Sequence, residues 1–167
     1  MAAARRGERA AFGALYRRHA RFVQAVLLAR VAPDSVDDLL HDVFLVAMDR
    51  LDGLRDDAAF APWLATIARR RAADWRRRRR DAVPLEESLP EASPGEPEEA
   101  YDARAAIAAI QSLPEAYRET LMLRFVAGLN GPEIAARTGL THGSVRVNLH
   151  RGVEMLRKKL GEVSRHA

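Results

Sequence analysis

Glu133-Ile-Ala-Ala-Arg-Thr-Gly-Leu-Thr-His-Gly-Ser-Val-Arg-Val-Asn-Leu149 has the pattern of a helix, a glycine-punctuated turn and a second helix. Ile134, Ala135, Leu140, Val145 and Leu149 are the positions expected inside. Ala136 is small where the helices would cross, and Gly139 permits the sharp turn. Asn130 stands as N-cap of the first helix, with Glu133 in the reciprocal capping position, and Thr141 is placed to cap the second. The second helix should run to about Val163 and turn His142, Ser144, Arg146, Val147, Asn148, His150 and Arg151 away from the core. In a helix-turn-helix its first turns would enter a major groove, where Arg reads guanine and Asn reads adenine. A plain helical hairpin has the same skeleton, so the flanking sequence must decide. Further along, Arg157-Lys158-Lys159 suits either phosphate contact or compensation of the helix C-terminal dipole.

Outward from this stretch the chain is helical by period, with no alternation long enough for a strand. Tyr101 to Leu113 precedes Pro114, where another helix starts and carries Leu121, Leu123, Phe125 and Val126 as its apolar face. Residues 83–100 hold Pro84, Pro90, Pro94 and Pro97 and little that could pack, so they read as a linker able to span up to ~60 Å. In residues 1–82, Phe12, Leu15, Tyr16, His19, Phe22, Val23, Val26 and Leu27 mark one amphipathic helix. After Pro33, Asp34 is the expected N-cap of a second helix, with Asp37 three residues on, and Val36, Leu39, Leu40, Val43, Phe44, Ala47, Met48 and Leu51 set its period. A third helix follows through Phe60, Trp63, Leu64, Ile67, Ala68, Ala72 and Trp75, with Pro62 in its opening turn. The expected fold is therefore all-α: two small helical domains, 1–82 and 101–167, joined by an acidic linker at 83–100.

Charge follows the same division. Residues 1–82 carry a net charge of +6, residues 83–102 one of −7, and residues 103–167 one of +5. Two basic blocks joined by an acidic strip suit two polyanion-binding domains. Nearly all the cations are Arg, whose planar fork fits phosphate and base edges, although an Arg- and Ala-rich chain also matches a GC-rich genome. The 167 residues contain no Cys, which excludes disulfides and thiolate metal sites. The five His fall in no metal-binding frame, and no phosphate loop or Gly-rich turn accompanies the acidic residues, so neither cofactor, metal nor catalysis is expected. No apolar run approaches a membrane span, and the first ten residues lack a signal-peptide core. The expectation is a soluble cytoplasmic protein with no membrane insertion.

Two further faces stand out. The third helix carries Arg69, Arg70, Arg71 and Asp74 opposite its apolar stripe and runs into Arg76–Arg80. Basic charge beside aromatic rings suits single-stranded nucleic acid, because cations track the backbone while rings stack bases. Trp75 lies on the stripe of Leu64 and Ala68 and can serve either as core or as a stacking platform. The second helix has an acidic face, with Asp34, Asp37, Asp38, Asp42 and Asp49 beside His41, the complement of a basic protein surface.

These residues resemble the extracytoplasmic-function sigma factors of bacterial RNA polymerase, over about Phe12 to Leu160. Val36-Asp-Asp-Leu-Leu-His-Asp-Val-Phe44 resembles the family's polymerase-binding helix, which implies contacts at Asp37, Asp38, Leu40, His41, Asp42 and Phe44 with the clamp of the largest subunit. Phe60-Ala-Pro-Trp-Leu-Ala-Thr-Ile-Ala-Arg69 and its continuation resemble the minus-ten helix, which implies Arg70, Arg71, Asp74, Trp75, Arg77 and Arg78 as contacts to melted DNA. Leu113-Pro-Glu-Ala-Tyr-Arg-Glu-Thr-Leu121, Glu133-Ile-Ala135, Gly143-Ser-Val-Arg146 and Leu149-His-Arg151 are similar to the minus-thirty-five domain. There the implied contacts are Thr141, His142, Ser144, Arg146, Val147, Asn148, His150 and Arg151. Val147-Asn148 replaces a usual Ser-Arg pair, and Gly152-Val153 a small-plus-Arg pair, so the family's usual minus-thirty-five sequence does not carry over. The implied partners are core RNA polymerase, promoter DNA and an anti-sigma factor. A sigma-like decoy for an anti-sigma protein and a stand-alone helix-turn-helix regulator are the alternatives.

Overall fold

A computed structural model describes residues 1–82 and 98–163. The first block comprises α1 (Ala2–Arg5), α2 (Arg9–Leu28), α3 (Val36–Arg50) and α4 (Phe60–Ala82); the second comprises α5 (Glu98–Gln111), α6 (Glu115–Phe125), α7 (Gly131–Thr138) and α8 (His142–Val163). No strand occurs among the described residues. Helix α5 begins three residues before the expected Tyr101, and residues 83–97 of the expected acidic linker lie outside the described residues.

In the first block α2, α3 and α4 pack against one another and share one core. Phe22, Val23, Val26 and Leu27 from α2 meet Val43, Phe44 and Ala47 from α3, and Leu64, Ala65, Ala68 and Ala72 from α4 close it. The alanines recur at three- and four-residue intervals, which lets α4 approach closely along one stripe. Asp34 is not the N-cap of α3: Pro33 opens a 3-10 turn over Pro33–Ser35, which moves the cap to Ser35, and no side chain satisfies it. Asp34 faces Arg104 at 3.6 Å instead. Asp56 does cap its turn, accepting from the Ala58 N–H at 2.9 Å ahead of α4.

In the second block α6 buries five consecutive residues, Glu119, Thr120, Leu121, Met122 and Leu123. The expected face of Leu121, Leu123 and Phe125 is corrected by this, because α6 is covered on several sides, by α8, α2, α5 and α7. Met122 is enclosed, whereas Phe125 lies beyond the cover, 57% exposed. Three helix-turn-helix expectations also change: Ala136 is exposed, Leu140 is 40% exposed, and Leu149 is half-buried. Ile134, Ala135 and Val145 are buried where α7 packs on α8. Gly152 has a packing reason, since a Cβ there would lie 3.0–3.3 Å from the Leu121 side chain.

The arrangement of the two blocks, open to the sequence, is docked. Helix α6 lies on α2, and α7 lies on α4. Gln111 Nε2 donates to the carbonyls of Leu28 at 2.6 Å and Val31 at 2.8 Å. The Arg137 guanidinium sits 5.7 Å from the Phe22 ring centroid. Glu119, on α6, lies between Arg30 at 2.6 Å and Arg69 at 2.5 Å. Nearby, His19 is buried, edge-on to Phe60, with no partner for Nδ1 among the described residues. Burial, aided by the charges of Arg137 and Arg18, pushes its pKa down to about 4, so the ring is neutral at pH 7. Among the described residues no helix is long and apolar enough to cross a membrane.

Candidate nucleic-acid interface

Local chemistry fixes the exposed end of α8. Asn130 Oδ1 accepts from the Glu133 N–H at 2.9 Å while Glu133 Oε2 accepts from the Asn130 N–H at 2.8 Å, the reciprocal capping box expected from the sequence. The chain leaves α7 through Gly139 at φ +77°, a left-handed conformation that costs other residues a Cβ clash. Thr138 Oγ1 donates to the Ile134 carbonyl at 2.7 Å and accepts from the Leu140 N–H at 3.3 Å, which stiffens the turn. Thr141 Oγ1 then accepts from the Ser144 N–H at 3.1 Å, and its hydroxyl lies 2.8 Å from that of Ser144. Val145, 1% exposed, anchors the helix to α7.

With that anchor in place, Thr141, His142, Ser144, Arg146, Val147, His150 and Arg151 are exposed and Asn148 is half-buried. Val147, 43% exposed, puts an apolar group where a thymine methyl could be met. His150 Nε2 is 3.6 Å from Glu154 Oε1, an exposed contact.

The strip on α4 is divided. Arg70, Arg77 and Arg78 are exposed, whereas Arg71, Asp74 and Trp75 are half-buried. Arg77 Nη2 pairs with Asp74 Oδ1 at 3.1 Å, and the Arg79 guanidinium lies 5.1 Å from the Trp75 ring centroid. Trp75 is partly buried against the core, as the core reading of it expects, with the Arg79 guanidinium near its ring. Arg69 is turned into the ion pair with Glu119.

Two candidate polymerase contacts are buried. Leu40 is 8% exposed and Phe44 only 3%, with Phe44 held between the rings of Phe12 and Tyr16 at 6.3 and 4.6 Å. The outer face of α3 presents Asp37, Asp38 and His41, with Asp42 half-buried. Leu45 and Met48, 43% and 48% exposed, continue that face; Leu45 was missed, and Met48, expected in the apolar stripe, lies at the surface instead. Their signal was the spacing of 41, 45 and 48, one stripe of a helix. Beside them a concavity of about 380 Å³ opens between α2 and α3, floored by Phe12, Tyr16 and Phe44. No group of three or more His, Asp or Glu that could hold a metal occurs among the described residues.

Family models for sigma-70 region 2 and sigma-70 region 4 match residues 15–82 and 103–156. The RNA polymerase sigma factor CarQ of Myxococcus xanthus is 34% identical over 164 residues, 95% of this chain and 94% of that protein. The RNA polymerase sigma factor NccH of Alcaligenes xylosoxydans xylosoxydans is 33% identical over 160 residues, 89% of this chain and 86% of that one. Among solved structures, CnrH in complex with the cytosolic domain of CnrY matches with a TM-score of 0.70 at 26% identity, over 96% of this chain and 94% of that one.

Proposed function

Because this chain belongs to the extracytoplasmic-function branch of the sigma-70 family, and is thereby a transcription-initiation sigma factor, we propose that its second block reads the duplex minus-thirty-five element while its first block holds the melted minus-ten strand. The observation that carries this reading is the exposed first half of α8, aimed by the left-handed Gly139 and the Thr141 cap. In the major groove Arg146 and Asn148 supply direct base readout, Val147 an apolar contact, and Thr141, Ser144 and Arg151 phosphate or sugar contacts. On α4, Arg70, Arg71, Arg77 and Arg78 track the displaced strand, with Trp75 as the aromatic surface. Stacking and charge then hold the unpaired bases, so strand capture needs no nucleotide hydrolysis.

The outer face of α3, Asp37, Asp38, His41 and Asp42 followed by Leu45 and Met48, is the docking face for the clamp of the polymerase largest subunit. An acidic stretch continued by two exposed apolar side chains suits a basic helical partner. A cytoplasmic location follows from that partner. An anti-sigma protein is the expected inhibitor, supported by the solved complex of CnrH with another protein's cytosolic domain.

Run-off transcription with core polymerase, on a promoter located by genome-wide footprinting, tests the reading. Sigma-dependent transcripts are expected only when core enzyme and this chain are both present. Tight, sequence-specific binding to duplex DNA in a gel shift without polymerase would instead indicate a stand-alone regulator.

A further inference from the structure

Two arginines of the first block, far apart in sequence, converge on a single anion from the second. Arg69 engages Glu119 through two parallel bonds, Nε to Oε2 at 3.1 Å and Nη2 to Oε1 at 2.5 Å, and Arg30 Nη2 closes on Oε2 at 2.6 Å. Arg30 is itself aimed, because its Nη1 donates to the Val26 carbonyl at 3.1 Å near the end of α2. Glu115 stands off at 3.9 Å and is exposed. The site therefore has two guanidinium groups for one enclosed carboxylate, and its cationic half is built entirely by α4 and the segment after α2.

Two planar forks converging on one point match a phosphate as well as a carboxylate. Arg69 also sits at the start of the cationic strip, immediately before Arg70 and Arg71 on the same helix. We propose that Arg30 and Arg69 form a phosphate seat for the backbone of single-stranded promoter DNA, and that Glu119 occupies this seat as an internal substitute while the blocks are docked. The inference rests on the reading of the first block as a nucleic-acid binder. When the second block swings away it takes the carboxylate with it, and the seat is left open to a phosphodiester. DNA and Glu119 then compete for the same two side chains, so docking of the blocks and binding of the strand oppose each other.

The test uses the full chain without polymerase, with a fluorescein-labelled oligodeoxythymidylate followed by anisotropy across a salt series. Glu119→Gln removes the anion from the seat and leaves its two guanidinium groups charged. The expected result is affinity about tenfold tighter at low salt, with the slope of log affinity against log salt steeper by about 0.7, the contribution of one phosphate on a single strand. Opening of the blocks could bare other cations, so Arg30→Gln and Arg69→Gln are each added to Glu119→Gln. Each double variant is expected to return the slope to the wild-type value. A steeper slope that persists in both would overturn the seat, since the gain would then come from opening alone. Equal affinity and slope in wild type and Glu119→Gln, with DNA still bound, overturns the seat and leaves the nucleic-acid reading standing. Absence of binding by every variant at low salt overturns both. Circular dichroism melts of each variant confirm that the chains compared are folded.

Discussion

Helices α4 and α8 are both long, basic on one side and apolar on the other, yet they spend their charge differently. On α8 the cations of the first half, Arg146 and Arg151, face solvent, and the helix is held from behind by Val145 and Gly152. On α4 the strip is shared: Arg69 closes an ion pair across the blocks, Arg77 holds Asp74, Arg79 covers Trp75, and Arg70 and Arg78 are exposed. A basic helix that lies between two packed units serves as mortar as well as contact surface. One that lies at the edge of its unit is free for recognition. The number of arginines does not distinguish them; the burial of their neighbours does.

Removing the mortar should have the largest effect. Burial acts to raise the Glu119 carboxyl, but the Arg69 hydrogen bonds and the charges of Arg30 and Arg69 outweigh it and hold the group below the usual carboxylate range. Glu119→Ala leaves two guanidinium groups facing each other with no anion, a loss of about 3 kcal/mol. Thermal unfolding should move to a distinctly lower temperature, and the radius of gyration from small-angle scattering should rise. An unchanged melt would mean that α4 is no more committed to packing than α8.

On the recognition side the cost should fall on activity rather than on folding. Arg146→Ala and Asn148→Ala should each reduce run-off transcription by roughly ten- to a hundredfold, as loss of a base contact costs about 1–3 kcal/mol. The melting temperature should stay within a degree or two of wild type. If stability falls with activity, α8 resembles α4 after all.

The next effect concerns acid. His19 has a folded pKa of about 4 against an ordinary 6.5, so the unfolded chain binds the proton more readily. Its contribution is complete above pH 6.5 and is lost as pH falls towards 4, by up to about 3 kcal/mol. Glu119, with a depressed pKa, contributes fully above 4.5 and weakens only below that. Denaturant titrations at several pH values should show stability declining first through the His19 window, and His19→Leu should flatten that part of the curve. A flat wild-type profile between pH 6.5 and 4 would remove His19 from the account. The smallest effect belongs to the cap of α7, where Asn130→Ala should cost about 1 kcal/mol in the same titrations.

What the sequence made legible was local. The capping box of Asn130 and Glu133, the left-handed Gly139 and the Thr141 cap each depend on groups within a few positions, and each is found where its spacing puts it. Apolar period located α2, α3 and α4 for the same reason. It could not tell which member of a wide stripe is sealed in: Leu40 and Phe44 of the expected stripe are buried, Met48 of the same stripe is exposed, and Leu45 was passed over. Met122 escaped because a helix covered on several sides loses its period. The Arg30, Arg69 and Glu119 cluster joins side chains up to 89 positions apart, and no spacing rule reaches that far. Gly152 stood only for the small member of a small-plus-Arg pair, and the proximity of Leu121 gives that smallness a steric cause.

Gln111 carries one last consequence. Its amide reaches back across 83 and 80 positions to the carbonyls of Leu28 and Val31, at the end of a helix synthesised long before it. As the nascent chain emerges from the ribosome, those two oxygens meet water first, because their final donor has not yet been translated. The early three-helix unit thus assembles with one frayed terminus and gains its last stitch only when the later half of the polypeptide arrives, giving biosynthesis a direction that the finished molecule no longer displays.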